Sequence, residues 1–292
     1  MNDNIDIERV AHQHEHFGRG GLFRSGKPIT IVMYHSINNV PDDYTISPDA
    51  FYRQIQFIRN NFSIVRLHEV ENVIKSEYKS SRQVAITFDD GYRDFLVRAY
   101  PVLETFGVPA AVFVPTGFIG GFNEWDFPYR KVQKRRLMSR SELQEVHKGG
   151  LVDFGSHSVD HLPMSGLQEG EMIRQAAESK RTLEDLLATQ VTMFAYPYGQ
   201  LDDFSDFTSR ILSETGYKIS ATAHWGTRNS TKDLLRLRRI HFRETDSDAT
   251  IKAKIEGLFD WIALKEQAGA RIRDLRRALA SNLRTRRAKA TH

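Results

Sequence analysis

The chain has 292 residues, 40% of them apolar and 27% charged, which is enough to bury the core of one large barrel-type domain or two small ones. It has no cysteine. That excludes a disulfide framework and thiolate metal ligands, so any metal must be held by His, Asp or Glu. The net charge of +4 is unevenly spread: Arg271, Arg273, Arg276, Arg277, Arg284, Arg286, Arg287 and Lys289 face only Asp274, so residues 271–292 carry +7 and the rest −3.

Met1 to Arg24 is polar and contains His12, His14 and His16. It lacks the apolar run of a secretory signal, and nothing approaches the ~18 apolar residues of a membrane span, so a cytoplasmic location is expected. Ile29–Tyr34 and Val84–Phe88 read as buried strands, the second ending in Asp89-Asp90-Gly91. Between them Pro48–Asn60 reads as a helix. Asp94–Phe106 reads as a helix closed by Gly107, followed by a strand at Pro109–Val114. Gly120–Leu137 looks like an aromatic, basic insertion placed to overhang a pocket. Ser139 with Glu142 forms a capping box for a helix ended by Gly149-Gly150. Val152–Gly155 leads as a strand to His157, Gln168–Ala188 reads as a long helix, and Thr192–Ala195 is a strand before Tyr196-Pro197-Tyr198-Gly199. A helix at Phe204–Thr215, strands at Tyr217–Thr222 and Leu237–Phe242, and a helix at Thr250–Leu264 complete the body. This alternation predicts a mainly parallel α/β architecture. His35, Asp89, Asp90, His157 and Tyr198 each follow a strand, where α/β barrels build their sites.

Three segments carry chemistry. Adjacent carboxylates such as Asp89 and Asp90 repel unless a cation or a proton separates their roles. A bare Asp-Asp-Gly is also a common solvated turn. His157 and His161 are four residues apart, a metal-ligand spacing that one face of a helical turn would supply; two surface histidines are the plain alternative. Pro197-Tyr198-Gly199 could aim a backbone N–H at a substrate oxygen, or be a rigid turn.

In this order the three segments resemble the motifs of the polysaccharide deacetylase family, also described as NodB-homology or carbohydrate esterase family 4 enzymes, over roughly Ile29–Phe242. The resemblance implies a distorted (β/α) barrel with fewer strands than a complete eightfold one. The domain plan becomes a polar extension at 1–24, a deacetylase-like catalytic domain at 25–265 and a basic amphipathic tail at 266–292. Asp90, His157 and His161 would bind one divalent metal, expected as Zn2+ with Co2+, Ni2+ or Mn2+ as alternatives. Asp89 would act as general base toward a metal-bound water, and the Tyr198 backbone N–H would stabilise the oxyanion. The acid that protonates the leaving amine would be His35, in the Met33-Tyr34-His35-Ser36 stretch that resembles poly-N-acetylglucosamine deacetylases; His241 competes for that role. Where many members carry an Arg that holds the catalytic Asp, this chain has Ala195; Arg236, Arg238 and Arg239 are candidate substitutes. Trp225, Leu237 and His241 are candidate substrate-pocket residues.

The expected substrate is an N-acetyl or other N-acyl amino sugar in a polysaccharide, oligosaccharide or lipid-linked glycan. Alternatives are deformylation of a lipid-linked formamido sugar, a non-catalytic glycan-binding protein, and a glycosyltransferase that uses Asp-Asp for a metal-nucleotide. The last gives His157 and His161 no task. In the tail, Ile272, Leu275, Leu279 and Leu283 recur at spacings of three and four beside arginines. That stripe suits either packing on the barrel or peripheral contact with an anionic membrane at its inner face. No motif supports nucleic-acid binding.

Overall fold

The computed structural model describes residues 29–76, 82–128 and 132–273. The polar extension and the tail positions Leu275, Leu279 and Leu283 lie outside them. In chain order the strands are β1 (Ile29–Tyr34), β2 (Ser36–Ile37), β3 (Thr45–Ile46), β4 (Ser63–Ile64), β5 (Gln83–Phe88), β6 (Ala110–Val114), β7 (Val152–Ser156), β8 (Met193–Ala195), β9 (Ile219–Trp225) and β10 (Leu237–Arg239). The α-helices are α1 (Pro48–Asn61), α2 (Val70–Lys75), α3 (Tyr100–Phe106), α4 (Arg140–Lys148), α5 (Glu169–Leu187), α6 (Asp206–Glu214), α7 (Asp248–Ile255) and α8 (261–273).

The main sheet runs β1-β5-β6-β7-β8-β9-β10 with every pairing parallel, and β4 adds to the start of β5. It closes on itself at Ile240. The Met33 N–H donates to the Ile240 carbonyl at 2.8 Å, and the Ile240 N–H donates to the Ile31 carbonyl at 2.9 Å. The result is the expected distorted parallel barrel, with seven strands in its ring.

Strand alternation divides the core in two. Ile29, Ile31, Ala85, Ala111, Phe113, Met193, Ala195, Ile219, Ala221 and Leu237 pack together inside the barrel. The alternate residues Val32, Val84, Ile86, Phe88, Val112 and Phe194 pack outward against the helices. Leu67 and the α2 residues Val70 and Ile74 join the interior cluster and plug one end. Small residues let the narrow interior accept Phe113. A Cβ on Gly155 would stand 2.6 Å from the Phe113 ring and 2.9 Å from the Met193 carbonyl. Gly155→Ala is therefore expected to cost about 1–3 kcal/mol by overpacking, read as a lowered midpoint in thermal or urea unfolding. An unchanged midpoint would mean that the Phe113 ring moves freely.

Most predicted elements are present, with Ser47, Ser139 and Ser205 capping α1, α4 and α6. Three differ. The segment expected to be helical from Asp94 begins as a wide π turn over Phe95–Ala99, because Pro101 has no N–H to continue a tighter ladder. The expected Thr250–Leu264 helix is two helices, α7 and α8, separated by a turn over 256–260 in which Gly257 has φ 83°. The boundary placed at 265/266 falls inside α8, whose Glu266 reaches back to the barrel. Among the described residues, no helix is long and apolar enough to cross a membrane.

Candidate active site

Inward-facing positions alternate along each strand, and the next such position past a strand's end points into the mouth of the barrel. From Ile29, Ile31 and Met33 that position is His35. From Ala85 and Thr87 it is Asp89, from Gly155 it is His157, and from Leu237 and Arg239 it is His241. These four side chains line one cavity of about 820 Å3, together with Asp90, His161 and Tyr198. Leu237 has the same parity but lies deeper, fully buried in the barrel interior. It does not line the cavity as expected. Trp225 does not line it either: it is buried behind His241, whose ring meets it edge-on at 5.1 Å.

Asp90, His157 and His161 form the one group among the described residues with metal-binding geometry, their ligand atoms within 4.8 Å of one another. The Asp90 Oδ1 lies 3.5 Å from His157 Nε2 and 3.3 Å from His161 Nε2. All three are buried. Burial, with neighbouring His161, pushes the His157 imidazole down to about 4, so it is neutral at pH 7. The His157 Nδ1–H donates to the Ala195 carbonyl at 2.7 Å, which leaves the Nε2 lone pair for a metal. Burial raises the Asp90 carboxyl, but its hydrogen bond and proximity to His161 outweigh this and hold it well below the usual carboxylate range. One anionic oxygen and two imidazole nitrogens converging in a buried pocket fit a divalent cation such as zinc.

The two histidines do not share a helical turn. Residues 157–161 form a loop in which Ser158 and His161 have φ of 66° and 54°. The Ser158 Oγ accepts from the His161 N–H at 3.0 Å, and Gln175 Oε1 on α5 accepts from the N–H groups of Val159 and Asp160, both at 2.9 Å. The fully buried Gln175 thus shapes the loop. Among the described residues, four of the five non-glycine residues with positive φ, namely Asp90, Ser158, His161 and Tyr198, lie in or beside this cluster. Backbone strain of this kind concentrates where geometry serves a site.

Asp89 is held by Arg239. Its two carboxylate oxygens accept from Arg239 Nη1 and Nη2, each at 2.7 Å. The Arg239 Nε donates to the Thr222 carbonyl at 2.7 Å. Burial alone raises the Asp89 carboxyl, but the guanidinium reverses the effect and holds it below its ordinary value. Of the three candidate arginines, Arg236 pairs with Asp206 at the surface and Arg238 packs beside Gly226. Arg239 alone has the inward parity, and the alternation Leu237, Arg239, His241 could have singled it out. Ala195, where the family resemblance implies an Arg in many members, lies in the interior cluster.

His35 Nε2 lies 3.9 Å from Asp89 Oδ2, and the ring packs on Tyr44 at 5.2 Å. Tyr198 lines the cavity at φ 59°. Its turn is pinned by Gly199, where a Cβ would stand 2.6 Å from the Ala223 nitrogen. The insertion does overhang the pocket: Trp125 stacks on His161 at 4.5 Å, and Asp126 lines the cavity. Arg135 binds Asp42 and Thr45, clasping the insertion to the β2–β3 loop. Sequence reading missed these contacts, because none has a local spacing signature.

Residues 76–220 match the family model described as Polysaccharide deacetylase. The chain carries a polysaccharide deacetylase domain. YxkH of Bacillus subtilis (strain 168) is 25% identical over 232 residues, which cover 79% of this chain and 77% of that one. The poly-beta-1,6-N-acetyl-D-glucosamine N-deacetylase of Staphylococcus aureus (strain MRSA252) is 26% identical over 181 residues. That match covers 59% of this chain and 60% of the staphylococcal protein. Among solved structures, the Streptococcus pyogenes deacetylase PplD in complex with acetate shares the fold with a TM-score of 0.67 and 24% identity, covering 79% of this chain and 99% of that one. IcaB from Ammonifex degensii does so with a TM-score of 0.66 and 24% identity, covering 80% and 99%.

Proposed function

We propose that this chain hydrolyses the amide of an N-acetylated amino sugar within a glycan, using one divalent metal held by Asp90, His157 and His161. The observation that carries the reading is the pairing of that buried triad with a separate carboxylate, Asp89, whose charge Arg239 secures. The metal, when bound, supplies Lewis acidity toward the amide carbonyl and toward a water. Asp89 accepts the proton of the attacking water. The Tyr198 backbone N–H donates to the carbonyl oxygen as negative charge develops there. His35, whose Nε2 lies 3.9 Å from Asp89 Oδ2, delivers a proton to the departing nitrogen. We assign it this role over His241 because His35 lies beside Asp89, whereas His241 stands against Trp225. The poly-N-acetylglucosamine relatives make β-1,6-linked N-acetylglucosamine the first substrate to try.

The test is acyl release from N-acetylglucosamine oligomers and from lipid- and nucleotide-linked N-acyl sugars, with acetate and formate both quantified. Acetate release that a chelator abolishes and added Zn2+, Co2+ or Mn2+ restores is expected. Formate in place of acetate would move the assignment to a deformylase. Binding of acetylated oligomers without turnover under any metal would sink the catalytic reading.

A further inference from the structure

Helix α8 has two unlike faces. Ile262, Ala263, Glu266 and Ala270 turn toward the body. Glu266 accepts from the Trp225 N–H at 3.0 Å and contacts His224 Nδ1 at 2.7 Å, while Arg273 reaches Asp202 at 2.7 Å. Glu266 and Arg273 line the cavity. The opposite face is open: Trp261, Leu264, Lys265, Ala268, Arg271 and Ile272 are all exposed. Their spacing of three and four places them in one stripe. Trp261 is 48% exposed, Leu264 67% and Ile272 51%, and Leu258 in the preceding turn is 57% exposed. The helix's one acidic residue, Glu266, lies on the inner face.

We infer that this outer face of α8 docks on an anionic lipid bilayer and sets the mouth of the active-site cavity at the membrane surface. Large apolar side chains standing open in a row on a soluble domain mark an interaction site. Interleaved Lys265 and Arg271 complement anionic headgroups, and a Trp suits the boundary between headgroup and acyl chain. The basic excess of residues 271–292 adds to the same attraction, and by sequence Leu275, Leu279 and Leu283 continue the spacing from Ile272. Two other occupants fit less well. A second copy would set Lys265 and Arg271 of one face against the same cations of the other, and a nucleic acid would leave Trp261 and Leu264 without a role. Because Glu266 and Arg273 belong to the same helix, docking holds one wall of the cavity one helix width, roughly 10 Å, from the surface, within reach of the sugars of a membrane-anchored glycan. The presentation of a glycan rests on the hydrolytic reading, whereas vesicle binding tests the docking by itself.

The experiment is sedimentation of the full chain with vesicles of phosphatidylcholine alone and of phosphatidylcholine with phosphatidylglycerol. Binding to the anionic vesicles, weakened by salt, and little binding to the neutral ones is expected. The double variant Trp261→Ser with Leu264→Ser is expected to bind at least about tenfold more weakly, with an unchanged thermal midpoint and unchanged rate on a soluble oligomer. Failure of the wild-type chain to sediment with anionic vesicles would overturn the inference. So would vesicle binding by the variant at wild-type strength, a dimer that the variant abolishes, or binding to duplex DNA in place of vesicles.

Discussion

Asp89→Asn is expected to lower acyl release by about 10²- to 10⁴-fold, the range a positioned proton-transfer group contributes, while metal content stays at the wild-type level. The reason is the division of labour between neighbouring carboxylates. Asp90 faces His157 and His161, whereas Asp89 faces Arg239 and His35. Asparagine keeps the shape of Asp89 and one acceptor oxygen toward Arg239, but it cannot take a proton. Metal stoichiometry by elemental analysis and rate by acetate quantification separate the two tasks. A variant that loses metal along with activity would place Asp89 among the ligands. A variant that keeps more than about a tenth of the rate would remove it from the base role.

Arg239→Met is expected to destabilise the fold by about 3–5 kcal/mol at neutral pH, because it leaves a buried carboxylate without its partner. Arg239 and Asp89 are both almost fully excluded from solvent, so surface screening does not soften the loss. The pH dependence follows from the direction of the shift. The Asp89 carboxyl is held below its ordinary value in the folded chain. Its contribution is therefore complete above the unfolded carboxyl value of about 3.9 and is lost as pH falls through the folded value. The stability gap between wild type and Arg239→Met should accordingly be widest near neutrality and narrow in acid, as measured by urea unfolding of metal-free protein across pH. Arg239→Lys keeps a charge but not the two-pronged fork, so an intermediate loss is expected. A gap independent of pH would mean that Arg239 acts by filling volume alone. The catalytic rate should fall along the same series, since a carboxyl that burial pushes up is a protonated base.

Much of the site was legible because its chemistry is local. Asp89 and Asp90 are adjacent, His157 and His161 are four apart, and each pair follows a strand whose apolar run is unmistakable. The spacing of the histidines anticipated two side chains that converge with Asp90, but not the local structure that brings them together. A helical turn would satisfy that spacing, yet Gln175, fourteen residues beyond His161, supplies the acceptor that holds 157–161 as a loop. Trp225 and Leu237 were misplaced for a different reason. Residue type marked both as apolar, but depth along the barrel axis, which decides between packed core and cavity wall, has no expression in residue type.

From the sequence alone come the parallel α/β class and the placement of Asp89, Asp90, His35 and His157 just past strand ends, since strand parity is a property of short segments; their proposed roles come from the family resemblance. Even the inward face of Arg239 was implicit in the alternation of Leu237, Arg239 and His241. What only the tertiary structure decided is which partners those faces meet. Closure of β10 on β1 at Ile240 brings Arg239 across the barrel to Asp89, 150 residues away in the chain. The turn at 256–260 swings α8 so that Glu266 reaches the cavity and Trp261 faces outward. Such pairings depend on sheet register and helix docking, which are set by packing between residues far apart in the chain and not by any window of sequence.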